Sequence, residues 1–67
     1  MRRMDDVIHE LNDIKAKLRI AASMLEDMIR VGEVPLRDLE FSAQTAMLLR
    51  ETADEIERRV RRYLRGW

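Results

Sequence analysis

The chain has 67 residues, 13 basic and 13 acidic side chains, and no net charge. That length allows one small domain, near the limit at which a chain hides enough surface to fold alone. With no cysteine and one histidine, disulfides and thiolate metal sites are excluded and no metal centre or cofactor site is expected, so oligomerisation or a partner is the remaining support.

Charged residues make up 39% of the chain and hydrophobic residues 46%. This is the composition of amphipathic helices rather than of a disordered tail. Apolar runs are too short to span a membrane. The opening Met-Arg-Arg-Met-Asp-Asp lacks the apolar core of a signal peptide, and the lack of cysteine fits a reducing compartment, so a cytoplasmic chain is expected.

The first predicted element is a helix over about residues 4–31. Met4, Val7, Leu11, Ile14, Leu18, Ala21, Leu25 and Met28 recur at steps of three and four. Asp5 and Asp6 fall in its first turn, where carboxylates favour the helix dipole. Gly32 ends it, because glycine takes the left-handed conformation after a C-cap. The turn covers 32–34, and Pro35 suits the first turn of a second helix.

That second helix is predicted over about 35–65, closed by Gly66. Its stripe is Leu39, Ser42, Ala46, Leu49, Ala53, Ile56, Val60, Tyr63 and Trp67. The short connection makes the pair antiparallel. The expected fold is therefore all-α, a single helical hairpin over 1–67. Alanines on the seam allow close approach, with leucines filling the gaps. Acid-first pairs at i,i+4 are expected to support the outer faces: Asp13–Lys17, Glu26–Arg30, Asp54–Arg58, Glu55–Arg59 and Glu57–Arg61.

Several apolar residues lie off the seam: Ile20, Met24 and Val31 on the first helix, Leu36 after the turn, and Phe41, Met47 and Leu48 on the second. All belong to the half of the hairpin nearest the loop. Such a sleeve marks a partner-binding surface. Two occupants are open: a second copy, giving a four-helix bundle, or a helix of another protein, with methionines as adaptable contacts.

Antiparallel packing gathers Arg2, Arg3, Arg58, Arg59, Arg61, Arg62 and Arg65 at the loop-distal end, with Tyr63 and Trp67 among them. Such a cluster could bind RNA phosphates and stack bases. In architecture the chain resembles the Rop type of plasmid RNA-binding homodimer. Neutral overall charge and the interspersed Asp5, Asp6, Glu10, Asp54, Glu55 and Glu57 favour a solvated face instead. Tyr63 and Trp67 fall on the seam and are expected to be core.

His9 lies opposite the seam. His9-Glu10-Leu11-Asn12-Asp13 resembles the phosphoacceptor box of dimerising histidine kinases. That resemblance implies a phosphoryl acceptor at His9 assisted by Glu10. Asp13 stands where the box has its second Asn, and a plain surface histidine near Asp5 is the simpler reading. No nucleophile–base pair, phosphate loop or metal-ligand spacing occurs, so no enzyme is expected.

The segment Leu25-Glu26-Asp27-Met28-Ile29-Arg30-Val31-Gly32-Glu33-Val34-Pro35, with Ala43, Ala46 and Ala53 after it, is similar to the E-type co-chaperones of the type III secretion needle. These are short helical hairpins whose first helix ends in Arg-Gly, followed by two residues and a proline. The resemblance implies a larger helical-repeat chaperone as partner and a role in keeping a needle subunit unpolymerised. Taken together, the expected function is a non-enzymatic interaction module, an adaptor or co-chaperone.

Overall fold

A computed structural model describes residues 3–66 of the chain. Two α-helices, α1 (Met4–Arg30) and α2 (Leu39–Arg65), pack antiparallel into a rod 48 × 18 × 16 Å. The all-helical hairpin is as the two heptad patterns dictate.

The turn follows glycine chemistry closely. Val31 caps α1, and Gly32 takes φ +81, the left-handed region that costs an L side chain most. Its N–H donates to the Ile29 carbonyl (3.2 Å), and the Glu33 N–H reaches back to the Met28 carbonyl (2.9 Å). These two bonds are the Schellman closure, and they satisfy carbonyls that the helix end would otherwise orphan.

The start of α2 differs from the expectation that Pro35 opens it. Pro35 is extended (ψ 145), and Leu36–Asp38 forms a 3₁₀ turn before α2 begins at Leu39. The Asp38 N–H bonds the Pro35 carbonyl at 2.9 Å, which tightens this first turn. At the far end Gly66 keeps φ −77, so α2 ends without a left-handed residue.

The hairpin core is thin. Ala22 and Ala53 are wholly buried, Ala46 and Val60 nearly so, and no large side chain is fully enclosed among the described residues. Leu11, Leu18 and Leu25 of α1 and Leu49 and Ile56 of α2 are only half-buried beside them. Small residues on both helices bring the backbones close, and the leucines wrap the contact rather than fill it. Tyr63 departs from the expected seam: it is 41% exposed, at the rim of the contact beside Leu11 and Ile56. Trp67 lies outside the described residues.

Candidate interaction face

The two long edges of the α1–α2 seam have opposite characters. One is ionic. Arg50 donates to Glu26 through Nε (2.9 Å, to Oε2) and Nη2 (2.5 Å, to Oε1), and Nη2 also bonds the Ser23 hydroxyl at 3.1 Å. Arg19 bonds Asp54 Oδ1 at 3.0 Å and stands 3.5 Å from Glu57, which Lys15 also approaches at 3.5 Å. These pairs stitch α1 to α2 along the middle of that edge. The two hydrogen bonds from Arg50, its charge, and that of Arg30 hold the Glu26 carboxyl below the usual carboxylate range. Burial pushes the Glu57 carboxyl up, but Arg61, Arg19 and Lys15 outweigh it and leave it lowered.

Two of the expected local pairs yield to this edge. Glu26 pairs across to Arg50 instead of to Arg30, which turns to Asp27, and Asp54 pairs with Arg19 instead of Arg58. Asp13–Lys17 (2.9 Å), Glu55–Arg59 (3.0 Å) and Glu57–Arg61 (3.3 Å) form as expected. The sequence signal for the missed pairs was the seven-residue spacing of Arg19 with Glu26 and of Arg50 with Glu57, on one flank of each heptad.

The other edge is apolar. Lys15, Ala22 and Ile29 step by seven along the ionic edge of α1. One residue earlier, about 100° back round the helix, Ile14, Ala21 and Met28 step by seven along the opposite edge. Ile14 is 46% and Met28 42% exposed, and Ala21 is exposed too. On α2 this edge carries Thr45 and Thr52, each one residue before a buried alanine, and then Phe41 and Leu48 one turn back. The Thr45 hydroxyl donates to the Phe41 carbonyl and the Thr52 hydroxyl to the Leu48 carbonyl, both at 2.8 Å. Their hydrogen-bonding needs are therefore met within α2, and both can be covered without stranding a polar group.

All seven residues of the expected sleeve are exposed, from Leu36 at 87% and Phe41 at 73% to Ile20, Met24, Val31, Met47 and Leu48. They do not share one face. Phe41 and Leu48 border the apolar edge. Met47 lines a shallow cleft on the ionic side with Ile29, Ala43, Ala46 and Arg50. Ile20 lies on the outer back of α1, and Met24 and Val31 stand between that back and the apolar edge.

At the loop-distal end, Arg59 and Arg61 are held by Glu55 and Glu57. Arg3, Arg58, Arg62 and Arg65 form no ion pair among the described residues. Arg59, Arg62, Tyr63 and Gly66 surround a cleft of about 410 Å³. Arg2 lies outside the described residues. His9 is exposed on α1. Among the described residues no cluster of His, Asp and Glu is placed to hold a metal ion, and no helix is long and apolar enough to cross a membrane. No protein-family model, curated protein or solved structure matches this chain.

Proposed function

We propose that this hairpin is a non-enzymatic protein-interaction module, an adaptor or co-chaperone whose apolar edge is covered by helices from outside the chain. The observation that carries the reading is the contrast between the two edges: one tied by ion pairs, the other lined by Ile14, Ala21, Met28, Phe41 and Leu48 and left in water. Exposed apolar surface of this extent is the mark of an interface rather than of a free monomer. The similarity of the turn region to the needle co-chaperones agrees with such a role, and it would make the occupant a helical-repeat protein.

The test is Leu48→Asp. Association of the chain with itself or with co-purifying protein, read by light scattering and native pull-down, is lost, because an unpaired carboxylate would have to be covered. Association unchanged by Leu48→Asp rejects the reading.

A second reading rests on the loop-distal cleft. Arg62 beside the exposed Tyr63 suits a phosphate and a stacked base. It predicts RNA binding that weakens, and becomes less salt-dependent, in an Arg61→Ala/Arg62→Ala variant. A chain that binds no RNA at low salt dismisses it. The His9 phosphoacceptor reading has only sequence likeness in its favour.

A further inference from the structure

We propose that the occupant of the apolar edge is a second copy of this chain, related by a two-fold axis running along the helices, so that both loops lie at the same end. This deepens the interaction reading and rests on it.

The argument comes from the outer border of the apolar edge. On α1 that border is a stripe at seven-residue spacing: Glu10, Lys17, Met24 and Val31. On α2 it is Phe41, Leu48, Glu55 and Arg62, again at seven-residue spacing. A two-fold along the helices turns one hairpin onto the other without sliding it. Each α1 residue then meets α2 of the second copy at the level it occupies within its own hairpin. The cross-seam pairs Lys15–Glu57, Arg19–Asp54 and Glu26–Arg50 bracket that level within about one helical turn. Counting one way on α1 and the other on α2 from Lys15–Glu57 and Arg19–Asp54 sets Glu10 nearest Arg62, Lys17 nearest Glu55, Met24 nearest Leu48, and Val31 nearest Phe41 of the second copy.

Every match is complementary. The two loop-distal pairs join opposite charges, and the two loop-proximal pairs join apolar residues that are each well exposed in the single hairpin. Because the operation is two-fold, each match occurs twice. The opposite arrangement, with loops at opposite ends, lays α1 against α1. In any register that overlaps the helices along their length, Glu10 or Lys17 then faces Met24 or Val31. That strands charge against apolar surface.

The inner layer agrees. Ile14, Ala21 and Met28, with Val7 ahead of them, turn into the space between the two hairpins. Thr45 and Thr52 of α2 stand beside them with hydroxyls already bonded to their own helix. The apolar stripe of α1 is thus wider than α2 alone can cover, because it serves two neighbours.

Cysteine is absent from the chain, so single cysteines report the arrangement. Met24→Cys and Leu48→Cys chains are prepared separately, then mixed and treated with a short bis-maleimide. Cross-linked dimer is expected in the mixture only, because in each variant alone the cysteines sit on diagonally opposed helices. Cross-linking of Met24→Cys alone puts α1 against α1 and overturns the proposal. An independent check uses surface charge. Lys17→Glu and Glu55→Lys each weaken the dimer by about tenfold, and an equimolar mixture of the two restores it. Two variants that remain weak when mixed overturn the matched stripes. A wild-type chain that is monomeric and does not cross-link removes the second copy as occupant. The interaction reading survives that result if Leu48→Asp still strips co-purifying protein, and falls with it if Leu48→Asp changes nothing.

Discussion

Arg50 and Glu26, on facing helices, meet through paired guanidinium–carboxylate bonds of 2.9 and 2.5 Å. A planar fork on a planar carboxylate fixes direction as well as distance. The pair therefore sets how far α1 can slide along α2, and the third bond to Ser23 narrows that further.

Removing the fork is expected to loosen the hairpin without collapsing it. Arg50→Met lowers the thermal midpoint, and by less than Leu18→Ala does, since the latter strips packing from the seam. Arg50→Met and Glu26→Gln together cost less than the sum of the two alone. A double-mutant cycle followed by circular dichroism checks this, and strict additivity would show that the two side chains do not couple.

Acid should weaken the fold in a defined window. Glu26 and Glu57 have carboxyls held below their usual values in the folded chain. A depressed carboxyl contributes stability that is fully present above its unfolded value, about 4.3. The contribution is lost as pH falls through the lower folded value. Melting temperature is therefore expected to be level from pH 8 to about 5 and to drop below about 4. A Glu26→Gln/Glu57→Gln variant starts lower and falls less over the same range. Equal acid sensitivity in both chains would place the effect on other carboxylates.

Gly32 offers a test of backbone chemistry alone. At φ +81 nothing lies within 4 Å of where a Cβ would stand. Gly32→Ala thus meets no clash and costs only the left-handed conformation, about 1 kcal/mol. Gly32→Asn costs less, because asparagine tolerates that region better. Urea unfolding of the three chains gives the order; an alanine variant as stable as wild type would mean that the turn re-forms another way.

Ala53 tests the closeness of the helices. It is wholly buried, and Ala53→Leu would force α1 and α2 apart at a cost of roughly 1–3 kcal/mol. Ala53→Gly leaves the approach intact but weakens α2 by about 1 kcal/mol. Denaturant midpoints of both chains check the pair, and a stabilising leucine would refute tight packing at that point.

Much of this architecture was legible in residues that act locally. Gly32 and Pro35 place the turn through their own backbone restrictions, and Ala46, Ala53 and Val60 fall on the seam at heptad spacing. What a periodic pattern does not contain is the direction in which a wide stripe is used. Leu11, Leu18 and Leu25 lie half-buried on the seam, as their spacing predicts. Their companions in the contact with α2 are Lys15, Ala22 and Ile29, not Ile14, Ala21 and Met28, so α1 turns the side next to its ion pairs toward α2. In the same way Glu26 and Asp54 had basic residues available one turn along their own helix. Each instead took a residue across the seam, and that choice depends on the register of the two helices rather than on spacing within one. The heptad carries Tyr63 to the rim of the contact, where it stays exposed beside Leu11.

The unequal edges also limit growth. If a second copy covers the apolar edge as proposed, the opposite side, lined by Arg19, Glu26, Arg50, Asp54 and Glu57, offers no like surface to a third, and assemblies are then expected to stay small as concentration rises.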